Sequence, residues 1–324
     1  MRKWLDRYYG RLRTIKANYV LLNLLNYRRL GHARRMYRHY GVVRSPLLPV
    51  SSSDMPRRPG EIPWLDRPDA QARLLADPRV QALPEPLRQG VIDWPDKGYL
   101  ILRGVFSTAE VERVNSELQQ LIDTGAVDFN FTGRKVMFAF RQSPAIKAMA
   151  SDRRILDVLD LLLGRRMHVF QTINFQTGSE QAAHSDSIHM TTYPLGYLAA
   201  AWVALEPITA DNGPLMYFPG SHKLPYLLND GFDHGGGRFT IGEDAYAHYE
   251  AAVQRSIEDG RFTPHEFHAR PGDVLIWHAN LLHGGKKMTT PNASRKSMAV
   301  HYFAEDVLCY HELTQRVAII DEDH

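Results

Sequence analysis

Two hydrophobic patterns divide the chain. Residues 1–40 carry leucines and aromatic side chains at roughly helical intervals without proline, which predicts a helical segment. From residue 167 onward, short apolar runs alternate with Gly, Pro, Asn and Asp, as is typical of strands separated by tight turns. Many short strands of this kind indicate a sandwich or a jelly roll. The expected strands are 168–175, 198–205, 214–218, 274–277 and 297–303.

The pattern between these regions predicts where the main domain begins. Residues 46–93 start rich in Pro, Ser and Arg, which predicts a linker or an extended wrap. The run 98–106 predicts a buried strand, and Ser107 with Glu110 then forms a capping box that opens a helix. We therefore expect a helical arm over 1–45, the linker over 46–93 and a mainly β domain with flanking helices over 94–324, with a helical lid insertion at about 225–265.

Composition narrows the class of protein. Of the 324 residues, 44% are hydrophobic and 23% are charged, which is ordinary for a soluble globular protein. Cys309 is the only cysteine, so no disulfide forms within the chain and a reducing, cytoplasmic location is expected. No apolar run reaches the roughly 18 residues of a membrane span, and the first residues lack the apolar stretch of a signal peptide.

Charge is distributed unevenly. The chain has 39 basic and 36 acidic side chains, but residues 1–45 hold 12 of the basic ones and only one acid, Asp6. This basic arm can pack on the body of the protein or on a second subunit, or it can lie on an anionic membrane surface. Nucleic acid is the less favoured partner, and the pattern leaves the oligomeric state open.

Four residues carry the candidate chemistry. In the sequence His184-Ser-Asp186 the imidazole and the carboxylate point to one side of an extended segment, because alternate residues share a face. A third ligand, His283, follows a turn and a buried strand. Two imidazoles and one carboxylate suit non-heme Fe(II), and clustered thiols for a structural zinc are absent from the sequence. Arg295, 12 residues further on, is suited to hold a carboxylate.

These motifs resemble the phytanoyl-CoA dioxygenase family of Fe(II)/2-oxoglutarate oxygenases. The resemblance covers roughly residues 94–305, and the first 90 residues have no counterpart in it. It implies a double-stranded β-helix, the cupin-like jelly roll. The matching pieces are His184-Ser-Asp186, Gly213-Pro-Leu-Met-Tyr-Phe-Pro-Gly-Ser-His222, Pro271-Gly-Asp273, His283-Gly-Gly285 and Asn292-Ala-Ser-Arg295.

The resemblance also implies the roles of individual residues. His184, Asp186 and His283 would be the catalytic iron ligands, and Arg295 would bind the distal carboxylate of 2-oxoglutarate. Trp202 either lines the cosubstrate pocket or only fills the core. The basic residue or Pro-Gly that the family often has before His-x-Asp is missing here, so a cosubstrate contact from that strand falls to Gln171 or Gln176.

The implied reaction uses Fe(II), 2-oxoglutarate and O2. Halogenating relatives have Ala or Gly in place of the carboxylate, so Asp186 favours hydroxylation, or a related outcome such as desaturation, of a small-molecule or lipid-like substrate, with release of succinate and CO2. His189 and Tyr193 are candidate substrate contacts, and His222 is expected to be structural. Two alternatives stay open: a non-catalytic metal- or sugar-binding cupin-type barrel, which would not need Arg295, and an oxygenase that acts on lipids at a membrane surface.

Overall fold

The computed structural model describes residues 15–58, 61–130, 133–237, 240–291 and 293–320. Residues 1–14 of the predicted arm, 238–239 of the predicted lid and Asn292 of the last family motif therefore lie outside the described residues. The α-helices of the described part are α1 (Lys16–Leu25), α2 (Gly31–Tyr40), α3 (Ala70–Ala76), α4 (Pro78–Gln81), α5 (Leu87–Lys97), α6 (Thr108–Asp123), α7 (Pro144–Ala150), α8 (Arg153–Leu163) and α9 (Ala245–Asp259). The strands are β1 (Tyr99–Leu102), β2 (Lys135–Met137), β3 (Met167–Phe175), β4 (Thr191–Tyr193), β5 (Leu198–Ala204), β6 (Leu215–Tyr217), β7 (His265–Phe267), β8 (Val274–His278), β9 (His283–Gly285), β10 (Ser297–Ala304), β11 (Leu308–His311) and β12 (Arg316–Val317).

Antiparallel strands form three sheets. The principal sheet has six strands in the order β1-β8-β5-β10-β3-β2. Two three-stranded sheets, β7-β6-β9 and β12-β11-β4, complete the β structure of the described residues. The architecture is therefore mainly β with flanking helices, as the hydrophobic pattern predicted.

Both faces of the principal sheet are buried. Successive residues of a strand point to opposite faces, so each strand contributes to two cores. Val203, Ile276 and Val300 face the helices, in the core cluster that also contains Leu118 of α6 and Leu159 of α8. On the other face, Trp202, Leu275 and Trp277 pack with residues of the β7-β6-β9 sheet such as Leu215 and Phe267. The candidate site lies on this second face.

Two helix boundaries follow from residues that the sequence singled out. At the start of α6, the Ser107 backbone N–H donates to Glu110 Oε2 at 2.7 Å and the Glu110 N–H donates to Ser107 Oγ at 3.3 Å, which is a complete capping box. α8 ends at Gly164, which has a φ of +67°. Glycine suits this left-handed cap, and a Cβ there would also approach Trp64 Cδ1 to 2.8 Å.

The two helices in the described part of the arm differ in their contacts. α2 packs on β11 and β12, where Leu30 and Tyr37 share a buried cluster with Leu308 and Tyr310. α1 instead exposes Leu21, Leu24 and Leu25. No helix in the described ranges is long and apolar enough to cross a bilayer. The exposed fractions are 57% for Leu21, 57% for Leu24 and 73% for Leu25.

The stretch 46–93, for which the sequence predicted a linker or wrap, contains short helices. Leu74 of α3, Val80 of α4 and Val91 of α5 are fully buried and belong to the core cluster under the principal sheet. Asp77 caps α4 by accepting a hydrogen bond from the Arg79 N–H at 2.8 Å. Prolines lie at the boundaries of these helices, whereas the buried apolar residues on the helices pack the region against the main domain.

Candidate active site

Two of the predicted ligands are fixed to each other through their backbones. His283 begins β9, and the extended segment that carries His184 runs beside it. The N–H of each histidine donates to the carbonyl of the other at 2.9 Å. Directly opposed residues of an antiparallel pair present their side chains on one face, and the two ring centroids are 4.5 Å apart.

The glycines after His283 allow this close pairing. The chain at residues 179–182 crosses directly over Gly284 and Gly285. A Cβ on Gly284 would lie 2.7 Å from the Gln181 carbonyl oxygen, and one on Gly285 would lie 2.3 Å from Ser179 Oγ. Side chains at these two positions would push away the segment that leads into His184.

Hydrogen bonds set the tautomer of both imidazoles. His184 Nδ1 lies 2.9 Å from the Ala182 carbonyl oxygen, and His283 Nδ1 lies 2.9 Å from the Leu281 carbonyl oxygen. A carbonyl only accepts, so each Nδ1 carries the proton and each Nε2 keeps a lone pair. Burial lowers the pKa of both imidazoles, for His184 to well below its ordinary value, so both rings are neutral at neutral pH.

Asp186 supplies the carboxylate. It begins a short 3₁₀ turn, Asp186–Ile188, and is buried. Its Oδ2 accepts a hydrogen bond from Trp277 Nε1 at 2.8 Å, while Oδ1 lies 3.6 Å from His283 Nε2. Burial alone would raise the pKa of Asp186, but the imidazoles of His283 and His301 outweigh it and hold that pKa below its ordinary value. The group is therefore ionised.

The three side chains fit a divalent iron. One ligand atom from each of His184, Asp186 and His283 lies within 4.8 Å of the others. Two neutral imidazoles and a carboxylate form the facial donor set of non-heme Fe(II) oxygenases, which leaves positions open for other ligands. The Gln181 amide nitrogen is 3.3 Å from His184 Nε2, and a metal ion at that nitrogen would replace this contact.

The triad opens into a cavity of about 800 Å³, named here the inner cavity. Arg295 lies in its wall and is only 1% exposed. Its Nη1 donates to Ser297 Oγ at 3.3 Å, its Nε has no hydrogen-bond partner among the described residues, and no carboxylate in the described ranges forms an ion pair with it. Burial lowers the pKa of Arg295 to about 10, so the guanidinium stays protonated at neutral pH.

Of the other residues predicted for the cosubstrate, Trp202 and Gln171 also line the inner cavity, whereas Gln176 is not among its lining residues. The Trp202 ring centroid is 5.4 Å from Arg295 Cζ, and the Phe175 ring centroid is 5.1 Å from the same atom. Two aromatic faces thus hold the guanidinium in place. Gln171 is on β3, opposite His301 of β10, and its amide nitrogen lies 3.9 Å from Met137 Sδ.

Sequence reasoning missed three residues that contact the predicted site. Trp277 holds Asp186, as described above, and His301 Nε2 lies 3.4 Å from Asp186 Oδ1. Lys135 Nζ donates to Gln181 Oε1 at 2.8 Å, which turns the amide nitrogen of Gln181 toward His184. None of these residues belongs to a motif, although the alternation of β8 and β10 could have assigned Trp277 and His301 to one face.

The remaining predicted residues lie in different parts of the structure, some in the wall of the inner cavity and others away from it. His189 lines the inner cavity, whereas the Tyr193 hydroxyl donates to the Pro56 carbonyl and the ring packs on Tyr40. His222 Nε2 donates to the Pro95 carbonyl at 3.2 Å, in a structural position away from the triad. In the predicted lid, Tyr246 of α9 lines the inner cavity.

Comparison with known proteins decides the family. The family model for phytanoyl-CoA dioxygenase (PhyH) matches residues 94–297, which is more than half of the chain. The chain belongs to the phytanoyl-CoA dioxygenase family. This confirms the interpretation as a 2-oxoglutarate-dependent dioxygenase, with iron and 2-oxoglutarate as its cofactor and cosubstrate and O2 as its oxidant.

Curated relatives agree with this family. An ectoine dioxygenase of Sphingopyxis alaskensis is 29% identical over 261 residues, which cover 71% of this chain and 81% of the relative. The phytanoyl-CoA dioxygenase domain-containing protein 1 of Danio rerio is 22% identical, with 66% of this chain and 88% of the relative covered. The residues that the family model matches, 94–297, do not include the arm.

Solved structures share the fold. The α-ketoglutarate-dependent carbocyclase SnoK from nogalamycin biosynthesis superposes with a TM-score of 0.57 at 17% identity, covering 71% of this chain and 87% of that one. EctD from S. alaskensis with bound Fe gives a TM-score of 0.52 at 23% identity, covering 67% and 76%. The shared fold confirms the jelly-roll core that was predicted for this chain.

Proposed function

We propose that this protein hydroxylates an unactivated C–H bond of a small-molecule or lipid-like substrate, with His184, Asp186 and His283 holding Fe(II). The observation that carries the proposal is the buried Arg295 guanidinium, which lies in the same cavity as the metal triad without a carboxylate partner among the described residues. A buried charge of this kind is costly unless a ligand pairs with it. The distal carboxylate of 2-oxoglutarate is that ligand, and a guanidinium binds a carboxylate with two parallel hydrogen bonds.

The chain's own residues prepare the site before any ligand binds. The two Nδ1–H bonds hold the imidazoles with Nε2 toward the metal position, and Trp277 holds the Asp186 carboxylate. Trp202 and Gln171 line the space for the cosubstrate, and His189 lines the space for the substrate. When bound, Fe(II) and 2-oxoglutarate supply the oxidising chemistry that inserts oxygen into the substrate, with release of succinate and CO2.

The first test is an anaerobic visible spectrum of the protein with Fe(II), followed by 2-oxoglutarate. A charge-transfer band that requires both additions supports the chelate. Arg295→Gln should weaken 2-oxoglutarate binding roughly 10- to 100-fold, because hydrogen bonds to a charged group are lost. Lys296→Gln is the matched control: Lys296 is the next residue, and its backbone N–H bonds to Glu206.

A non-catalytic cupin-type barrel is the competing function, and the same titration separates the two. Such a barrel would bind metal without a 2-oxoglutarate-dependent band, and Arg295→Gln would leave its ligand binding unchanged. The proposal fails in that case. Arg295 is buried without a carboxylate partner among the described residues, which favours the oxygenase, because a barrel that binds only a metal or a sugar has no need of this cation.

We also propose that α1 attaches the enzyme to anionic membranes. Leu24 and Leu25 are exposed on this helix, and the cations Arg28 and Arg29 follow directly, with no acidic residue between 15 and 45. Apolar side chains next to cations suit the surface of an anionic bilayer. Deleting the arm would also remove the packing of α2 on β11, so point substitutions are the better test.

The test is sedimentation with phosphatidylserine vesicles and with phosphatidylcholine vesicles. The double variant Leu24→Ser/Leu25→Ser should lose most of the binding to phosphatidylserine vesicles. Leu75→Ser is the matched control, since Leu75 is 54% exposed on a different helix. Equal pelleting of the double variant and the unmodified protein would reject a membrane role for α1.

A further inference from the structure

A second cavity adjoins the inner cavity. This outer chamber has a volume of about 860 Å³ and lies between α1 and the β11–β12 pair, with Leu21, Leu22, Tyr310 and Arg316 in its walls. Its volume and that of the inner cavity each approach the upper end of the range of roughly 300–1,000 Å³ for small-molecule sites. The inner cavity must also accommodate 2-oxoglutarate, so the outer chamber offers additional room for a substrate that is larger than its reacting group.

The two cavities have a common wall. Gln171, His189, Met190 and His311 line both of them, so the two spaces meet at these side chains. His189 Nε2 is buried and has no hydrogen-bond partner among the described residues. This nitrogen is therefore available to a molecule that passes from one cavity to the other.

A continuous row of side chains joins the outer chamber to the metal triad. Arg316 of β12 is directly opposite His311 of β11, so their side chains lie on one face of that sheet. The ring centroids of His311 and His189 are 5.4 Å apart, and those of His189 and His184 are 5.8 Å apart. Three side-chain steps thus lead from the Arg316 guanidinium to the first metal ligand.

The charged side chains among the described lining residues of the outer chamber are all positive. Arg29, Arg141 and Arg316 line it, and no Asp or Glu stands among its described lining residues. Arg316 is half-buried, and no carboxylate in the described part of the chain forms an ion pair with it. Much of the remaining wall is apolar, for example Phe138 and Phe170. Such a wall favours an apolar ligand that carries negative charge at one end.

We propose that the substrate is an amphipathic molecule whose carboxylate or phosphate group binds Arg316 in the outer chamber. Its apolar body then extends past His311 and His189, and the carbon to be oxidised reaches the inner cavity. The placement of the reacting carbon rests on the proposed function, whereas binding of the anionic group does not. Arg29 and Arg141, which are exposed, add to the positive potential at the mouth of the chamber.

The test is a set of three probes with the same alkyl chain: dodecanoate and dodecyl phosphate, each below its micelle concentration, and dodecanol below its solubility limit. Calorimetric titration of the full-length protein should give at least tenfold tighter binding of the anions than of dodecanol, because a charge-assisted hydrogen bond to an arginine is lost in the alcohol. Arg316→Gln should remove this preference and leave dodecanol binding unchanged. The tighter of the two anions identifies the chemistry of the head group.

Matched variants define the controls. Arg255→Gln, on the exposed surface of α9 and outside both cavity walls, should behave as the unmodified protein. Arg316→Lys keeps the charge and should retain part of the preference for anions. If Arg316→Gln does not fold, a salt titration of the unmodified protein replaces it: added KCl should weaken dodecanoate binding but not dodecanol binding.

Three results would overturn the proposal. The first is equal affinity for dodecanol and the anions, and the second is an unchanged preference in Arg316→Gln. The third is loss of dodecanoate affinity in Arg295→Gln instead, which would place the anion at the cosubstrate position. The binding experiment is run without metal and again with Fe(II) and 2-oxoglutarate under anaerobic conditions. A missing charge-transfer band would reject the proposed function alone, since the anion preference is measured independently of it.

Discussion

The two faces of the principal sheet are built from the same strands but serve different purposes. On β10, Met298, Val300 and Tyr302 point into the helix-covered core, whereas Ala299 and His301 point into the barrel. The helix-covered face is well packed, and the Tyr302 hydroxyl there donates to the Ala150 carbonyl at 2.8 Å. The barrel face instead gathers ionisable side chains around a cavity.

The difference between the faces shows that the packing that stabilises the fold and the groups that carry the chemistry lie on opposite sides of the sheet. Close packing makes the helix-covered face sensitive to the loss of even a few methylene groups. The barrel face contains a carboxylate, imidazoles and a guanidinium that are brought close together around one cavity. Substitutions on alternate residues of one strand should therefore have separable effects, on unfolding for one face and on ligand binding for the other.

The largest expected effect on function is that of Asp186→Ala. It removes the only carboxylate of the metal group, so 2-oxoglutarate turnover should fall below detection and the Fe(II)/2-oxoglutarate band should disappear. The thermal unfolding midpoint should change little, because the helix-covered core is untouched. Turnover assays and circular dichroism melts measure both effects. Retained turnover would contradict the ligand assignment, and Asp211→Ala, at an exposed acid, is the control.

Met298→Ala tests the opposite face. Met298 is fully buried under the helices, and we expect the free energy of unfolding to fall by roughly 2–5 kcal/mol, as for other large-to-small core substitutions. The affinity for Fe(II) and 2-oxoglutarate should be unchanged in the folded protein. Urea unfolding measures the first quantity and the anaerobic titration the second. Met298→Leu, which nearly preserves the volume, should cost less than about 1.5 kcal/mol. A lost chelate band in Met298→Ala would mean that the two faces are coupled.

A smaller effect is expected from Trp277→Phe. This change removes the N–H that holds Asp186 Oδ2 but keeps the metal ligands, so Fe(II) affinity should fall roughly 10- to 100-fold. Equilibrium titration with Fe(II) under anaerobic conditions is the measurement. Trp94→Phe provides the matched control, because Trp94 belongs to the helix-covered core. Equal iron affinity in Trp277→Phe and the unmodified protein would show that Trp277 does not position the carboxylate.

Local sequence signals predicted much of the fold and the centre of the site. The strands over 167–304 and the helices α6 and α8 carry capping residues and alternation that act over a few positions. His184 and Asp186 were identified from an extended pattern, although Asp186 in fact begins a 3₁₀ turn. The side chains nevertheless come together, because the backbone pairing of His184 with His283 directs them to one point.

Contacts between distant parts of the chain could not be predicted in the same way. The bond from Trp277 to Asp186 joins residues 91 positions apart and has no motif of its own. The helices within 46–93 were hidden because the start of this stretch is rich in proline, serine and arginine, while Leu74 and Val80 lie in short apolar patterns whose burial depends on contact with the main domain. In each case the contacts of the residue depend on the surface against which it packs. That surface exists only once the sheet has assembled.

The packing of α2 on β11 has a consequence for the order in which the molecule is assembled. His32 Nε2 donates to the Val307 carbonyl at 2.8 Å, a contact between residues 275 positions apart. During synthesis α2 leaves the ribosome well before its partner strands β11 and β12 are made. Contacts of such long sequence separation also form slowly. The outer chamber, with α1 on one side and β12 on the other, is therefore completed only after the jelly roll that it serves.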